Sequence, residues 1–173
     1  GNDLKKSGYL LDYEAPEDFA YSLLVLGDTQ YMNDRYPENF VKIYDWILEN
    51  KDTHKIQYVM GVGDITDTDD ASEWNRAKKQ FDRLNGKVPY SLVIGNHDGS
   101  EKMNATFNTD TYNATLDGKY GDGIENSYRL ITVGKVKYLI MTLEFGYRDD
   151  VIDWANEVIA AHPNYNVIIT THG

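Results

Sequence analysis

Residues 89–98 read Pro-Tyr-Ser-Leu-Val-Ile-Gly-Asn-His-Asp. An apolar run stops at a glycine, and an amide, an imidazole and a carboxylate follow at once. A short apolar run bounded by turn residues reads as a buried strand. The glycine permits the sharp turn after it. The same design occurs twice upstream: Tyr21–Leu26 ends in Gly27-Asp28-Thr29-Gln30, and Ile56–Val62 ends in Gly63-Asp64-Ile65-Thr66-Asp67. Between these runs lie two helical patterns. Phe40, Val41, Tyr44, Ile47 and Leu48 repeat over Glu38–Asn50 behind Pro37, and Trp74, Ala77, Phe81 and Leu84 share one face over Ala71–Leu84. The order β-α-β-α-β predicts a parallel sheet with right-handed crossovers, an α/β fold.

Further along, residues 99–125 carry Asn, Thr, Asp, Gly and Tyr without a period, as a functional loop or a set of short elements does. Ser127–Val133 and Lys135–Leu143 flank Gly134 and predict a β-hairpin. A third helix is expected from Asp149 to Ala161, and a strand from Asn166 to Thr171 leads into His172-Gly173. Residues 1–20 are polar and irregular and read as a lead-in to one domain over 21–173.

Composition narrows the function. The 173 residues fit one domain, and 41% apolar with 26% charged residues argues against disorder and coiled coils. The absence of cysteine excludes a disulfide scaffold, a cysteine-ligated zinc site and a cysteine nucleophile. A formal charge of −11 is poorly suited to a nucleic-acid backbone, so no strong nucleic-acid surface is expected. No apolar run reaches membrane-span length. Gly1 in place of Met fits a processed or engineered N-terminus. The compartment stays open between export with a signal removed and the cytoplasm.

In an open parallel sheet, ligands bind at the carboxyl ends of the strands. Four clusters, around Asp28, Asp64, Asn96 and His172, are therefore expected to meet there. Asp, Gln, Asn and His supply oxygen and imidazole donors suited to Mn, Mg, Fe or Zn. One carboxylate such as Asp64 can bridge two ions. Two ions about 3.5–4 Å apart can clamp a phosphoryl group and activate water, and a histidine that is not a ligand can act as general acid.

The ordered set Asp-x-Gln, Gly-Asp-x-x-Asp, Gly-Asn-His-Asp and His resembles the calcineurin-like metallophosphoesterase superfamily over residues 21–173. The resemblance implies a sandwich of two mixed β-sheets flanked by helices, with the 127–143 hairpin in the second sheet. It implies two divalent ions and attack of a metal-bound hydroxide on a small phosphomonoester or phosphodiester. Asp28 and Gln30 would hold the first metal, Asp64 would bridge, and Asn96 and His172 would hold the second. His97 would serve as acid beside the phosphate, Asp98 would orient it, and Asp67 would brace the loop.

Two departures from the family pattern stand out. Gln30 occupies a position that is usually histidine, which shifts the first site toward harder ions. The pattern also continues to a Gly-His-x-His segment beyond Gly173, so a domain truncated at its C-terminus is expected, with self-association through open sheet edges. These departures support a rival reading, a non-catalytic binding or scaffold domain of the same fold.

Taken singly, each Asp or Asn after a strand is a common turn former or helix cap; the ordered set carries the metal reading. Residues 64–70 fail the calcium-loop spacing, with no glycine at the sixth position and Asn75 at the twelfth. His54 reads as surface and His162 as a helix-end contact. Asn104-Ala105-Thr106 and Asn113-Ala114-Thr115 match glycosylation acceptors, a pattern frequent by chance. Tyr112, Tyr120, Tyr147 and Arg148 are candidates to line the substrate pocket. No phosphate loop, nucleophile elbow or dinucleotide fingerprint is present.

Overall fold

The structure is a computed structural model and describes residues 18–173. Of the expected lead-in, residues 1–17 lie outside the described residues. Three parallel strands form the first sheet in the order β1 (Ser22–Leu26), β2 (Ile56–Gly61), β3 (Tyr90–Ser91). Their connections hold α1 (Gln30–Arg35), α2 (Pro37–Asn50) and α3 (Ala71–Phe81), the last running into a 3₁₀ turn at Asp82–Leu84.

α2 starts on Pro37 and buries Phe40, Tyr44 and Ile47, spaced four and three apart on one stripe. α3 opens on a capping box: the Asp70 side chain accepts from Ser72 N at 2.7 Å, and Glu73 reaches back to Asp70 N at 3.1 Å. Both helices cover one face of the sheet. Tyr44 lies edge-on to Phe40 and to Phe81, with ring centroids 5.2 Å apart in each pair. β2 alternates: Val59 joins this helical core while Tyr58 and Met60 face the other way.

That other face meets the second sheet, ordered β4 (Gly118–Lys119), β5 (Ser127–Val133), β6 (Val136–Thr142), β7 (Asn166–Thr170). β5 and β6 form the expected hairpin, with Arg129 opposite Ile140, and β7 adds parallel to β6. Tyr58, Met60 and Ile140 pack between the sheets. α6 (Asp149–Ala161) covers the outer face through Val151 and Ala155 against Leu139 and Met141. The result is helices, sheet, sheet and helix, the predicted sandwich.

The strand expected over 89–94 is shorter in its ladder. Leu92 gives its N–H to the Tyr112 hydroxyl at 3.3 Å instead of to β2, so Leu92, Val93 and Ile94 are buried without pairing. The stretch 99–125 resolves into α4 (Ser100–Phe107), α5 (Asp110–Asn113) and β4. α4 buries Met103 and Phe107, two apolar residues too few to show a period. Among the described residues β1 and β7 are outer strands, with Val25, Val167 and Ile169 exposed.

Candidate metal centre

The strand ends of both sheets converge. Gly61 ends β2, and the backbone turns sharply through Gly63, at φ +102°, into Asp64, at φ +49°. A non-glycine residue in this left-handed region costs about 1–2 kcal/mol. The conformation is held from three sides. Thr29 N and Gln30 N both donate to the Asp64 carbonyl, at 3.0 and 2.9 Å, and His97 N donates to Asp64 Oδ1 at 3.1 Å. The two glycines nearby are dictated by contact. A Cβ on Gly63 would stand 2.7 Å from His172 Nδ1, and one on Gly95 would strike the carboxylate and backbone N of Asp64.

Four of the five expected ligands come together. His172 Nε2 lies 3.1 Å from Asn96 Oδ1 and 3.5 Å from Asp64 Oδ2, and Nδ1 lies 4.0 Å from Asp28 Oδ1. Nδ1 donates to the carbonyl of Val62 at 2.9 Å. A carbonyl only accepts, so Nδ1 carries a proton, and Nε2 is the nitrogen turned toward Asn96 and Asp64. Nε2, Asn96 Oδ1 and Asp64 Oδ2 thus face one another, and with Nε2 unprotonated the three are donors suited to a cation. Such an outer hydrogen bond is how metal-binding histidines are oriented. The fifth, Gln30, is buried at the start of α1, and no hydrogen bond among the described residues joins its side chain to the other donors. No group of three His, Asp or Glu among the described residues stands ready to hold a metal. Two of the five donors are amides, so the centre depends on neutral oxygens for its completion.

His97 is held by a different residue from the one expected. Its Nδ1 donates to the carbonyl of Asp67 at 2.7 Å, with the Asp67 carboxylate 3.6 Å away. The Asp67 carbonyl, aided by the charges of Asp64, Asp67 and Asp98, raises the His97 pKa above its ordinary value against a partial desolvation. Asp98 does not reach the imidazole. Its carboxylate accepts from Thr66 N and Oγ1, each at 2.8 Å, and from Ile65 N and Gly95 N, each at 3.0 Å. Burial raises its pKa, and these four donors only partly offset that. Asp98 is the stitch between the β2 and β3 loops, and Asp67 is the partner of His97. The physical reason is the turn itself: successive side chains leave it in different directions.

The loop around Asp67 has its own support, which sequence reading missed. Glu73 is buried and accepts from Asp67 N at 2.8 Å, Thr68 N at 3.1 Å and Thr68 Oγ1 at 2.7 Å, besides Asp70 N. Asn33 of α1 donates to Ile65 O and Glu73 O, at 2.9 and 3.1 Å. The Asp70-x-x-Glu73 spacing signals a capping box; nothing in the sequence marks Asn33.

The four tyrosine and arginine candidates separate. Tyr112 is buried in the core, away from the strand-end centre. Tyr120 donates to Asp150 Oδ2 at 2.8 Å. Tyr147 and Arg148 follow β6, where exposed Phe145 also lies edge-on to His172, with centroids 5.9 Å apart.

The fold is a two-sheet sandwich flanked by helices, with polar strand ends gathered at one end. A family model for calcineurin-like phosphoesterases matches residues 21–173, and the chain belongs to that family. A relative from Bacillus subtilis (strain 168), "Uncharacterized protein YvnB", is 30% identical over 168 residues. That alignment covers 91% of this chain and 13% of the relative, so the chain spans a small part of its length. The family generally binds divalent metals, and membership supports metal-dependent phosphoester chemistry in general.

Proposed function

We propose that Asp28, Gln30, Asp64, Asn96 and His172 contribute to a centre for two divalent ions that hydrolyses small phosphomonoesters or phosphodiesters. The convergence of Nε2 of His172 with the oxygens of Asn96 and Asp64 supports this most directly. Asp64, central among the donors, is suited to bridge. When bound, the ions would polarise the phosphoryl group and activate a water.

The chain's own residues do the rest. Nδ1 of His97 is committed to the Asp67 carbonyl, so Nε2 is the free end of the ring. In the protonated ring Nε2 carries the second proton. That proton goes to the leaving oxygen of the ester, a general-acid contribution of about 10²–10⁴ in rate. Asp98 and Glu73 hold the two loops that fix the His97 position.

The rival, a binding or scaffold domain, is favoured by Gln30, a neutral amide buried at the start of α1. Elemental analysis after incubation with manganese, followed by hydrolysis of a nitrophenyl phosphodiester, separates the two. Close to two ions per chain, with activity lost in Asp64→Ala and His97→Ala, supports the hydrolase. No retained metal and no turnover supports the scaffold.

A further inference from the structure

Arg129 is the outlier of the inter-sheet layer. It lies on β5 opposite Ile140 and is only 4% exposed. Its Nε and Nη2 are buried and have no hydrogen-bond partner. The described arginine ion pairs involve Arg35, Arg83 and Arg148, not Arg129. Asp117, on the neighbouring segment, is engaged with Leu130 N at 2.7 Å. Three tyrosine rings surround the guanidinium, Tyr112 at 4.8 Å, Tyr90 at 5.8 Å and Tyr58 at 5.9 Å. Tyr58 Oη and Ser91 Oγ are also buried without a partner. Ring faces attract a cation, but they leave its N–H donors unpaired.

Arg129 also lines a cavity of about 330 Å³, walled by Asn85, Lys87, Pro89, Tyr112 and Leu130 among others. That volume is at the small end of the ligand-site range of roughly 300–1,000 Å³. The wall is mostly apolar and carries two cations, Arg129 and Lys87, and no carboxylate. This is unusual in a chain of net charge −11. The cavity opens before β3, at the end of the parallel strands opposite to Asp28, Asp64 and Asn96.

We propose that this cavity is a second binding site, for a small organic carboxylate with an apolar body. Nε–H and Nη2–H lie along one edge of the guanidinium, spaced for the two oxygens of a carboxylate. Both are closed off from water in this structure, so the ligand engages them as the cavity wall beside Arg129 shifts to admit its carboxylate. Lys87 stands at the exposed mouth, and the apolar wall receives the body of the ligand. Inorganic phosphate fits less well, because it has no apolar body to meet the wall.

Titration with benzoate, followed by calorimetry and by the arginine Nε–H signals in NMR, tests this. Saturable binding that shifts the Arg129 signal is expected, unchanged by manganese. Arg129→Met should fold, since an apolar replacement of an unpaired buried charge is often neutral or stabilising. It should bind benzoate at least roughly tenfold more weakly. Lys87→Ala should weaken binding by a smaller factor. Absence of saturable benzoate binding, equal binding by Arg129→Met, or tighter binding of inorganic phosphate than of benzoate would overturn the proposal. If Arg129→Met does not fold, an Arg129 signal in the intact chain that benzoate leaves unmoved overturns it as well.

Discussion

The Nδ1 of His172 donates to the carbonyl of Val62 at 2.9 Å, a bond across 110 residues of chain. It ties the end of β7, in the second sheet, to the end of β2, in the first. It also fixes which nitrogen of His172 is free. One hydrogen bond therefore couples the sandwich to the orientation of a candidate ligand.

His172→Ala should lose this bond and a ligand together. The expected stability loss is about 1 kcal/mol, by urea denaturation. Manganese affinity should fall at least about tenfold, by calorimetry. Unchanged metal affinity in a folded variant would remove His172 from the centre.

Gly95→Ala places a methyl group against the Asp64 carboxylate and backbone. Overpacking of this kind costs about 1–3 kcal/mol. The denaturation midpoint should fall, and retained manganese should fall with it, because Asp64 must move. A stable variant with full metal content would show that the loop has slack.

Asp98 and Asp67 should separate cleanly. Asp98→Asn sets an amide with one acceptor oxygen against four donors, so stability should drop by about 1–3 kcal/mol. The main contact of Asp67 with His97 is its backbone carbonyl, which Asp67→Asn retains. That variant should stay within about 0.5 kcal/mol of wild type while changing the pH profile of turnover. Equal destabilisation by both would contradict the division of roles.

Glu73 predicts an acid-sensitive loop. Burial pushes its carboxyl up, but the N–H of Asp67, the Thr68 hydroxyl and the N–H groups of Asp70 and Thr68 outweigh that and hold it below the ordinary 4.5. A depressed folded pKa gives stability that is complete above the unfolded value and is lost as pH falls through the folded one. Wild type should therefore exceed Glu73→Gln by a constant margin at neutral pH. The margin should narrow below about pH 4.5, read from urea midpoints. A margin independent of pH would mean that the charge of Glu73 contributes nothing.

Gln30→His replaces a hard amide oxygen with imidazole. Selectivity should move from manganese and magnesium toward zinc and iron, measured by competitive metal loading. No change in preference would place the Gln30 side chain outside the centre.

Much of this was legible in the chain. The three runs ending in glycine and a polar cluster predicted the parallel sheet, because alternation between apolar run and turn is a local property. The hairpin about Gly134 and the helix from Asp149 to Ala161 were readable for the same reason. The short elements between 99 and 125 were not, since two or three apolar residues per element set no period.

At the centre, residue identities could be read but not their partners. The family resemblance implied that Asp98 orients His97. In the folded chain the Asp98 carboxylate turns back over residues 65–66, and the carbonyl of Asp67 takes the imidazole. Such pairings depend on side-chain direction at turns, which no spacing encodes.

By itself, then, the sequence determined the strands, the helices, the crossover order and the polar residues at the strand ends, because each follows from local patterning. Tertiary structure alone decided which nitrogen of His172 is free, what supports Asp67, and that Arg129 is buried without a partner. Along β5, Arg129 reads as one more polar residue in an alternating strand. It becomes a buried cation only because Tyr58 and Tyr90 of the first sheet and Tyr112 of α5 close over it, and that closure is a property of no segment of the chain.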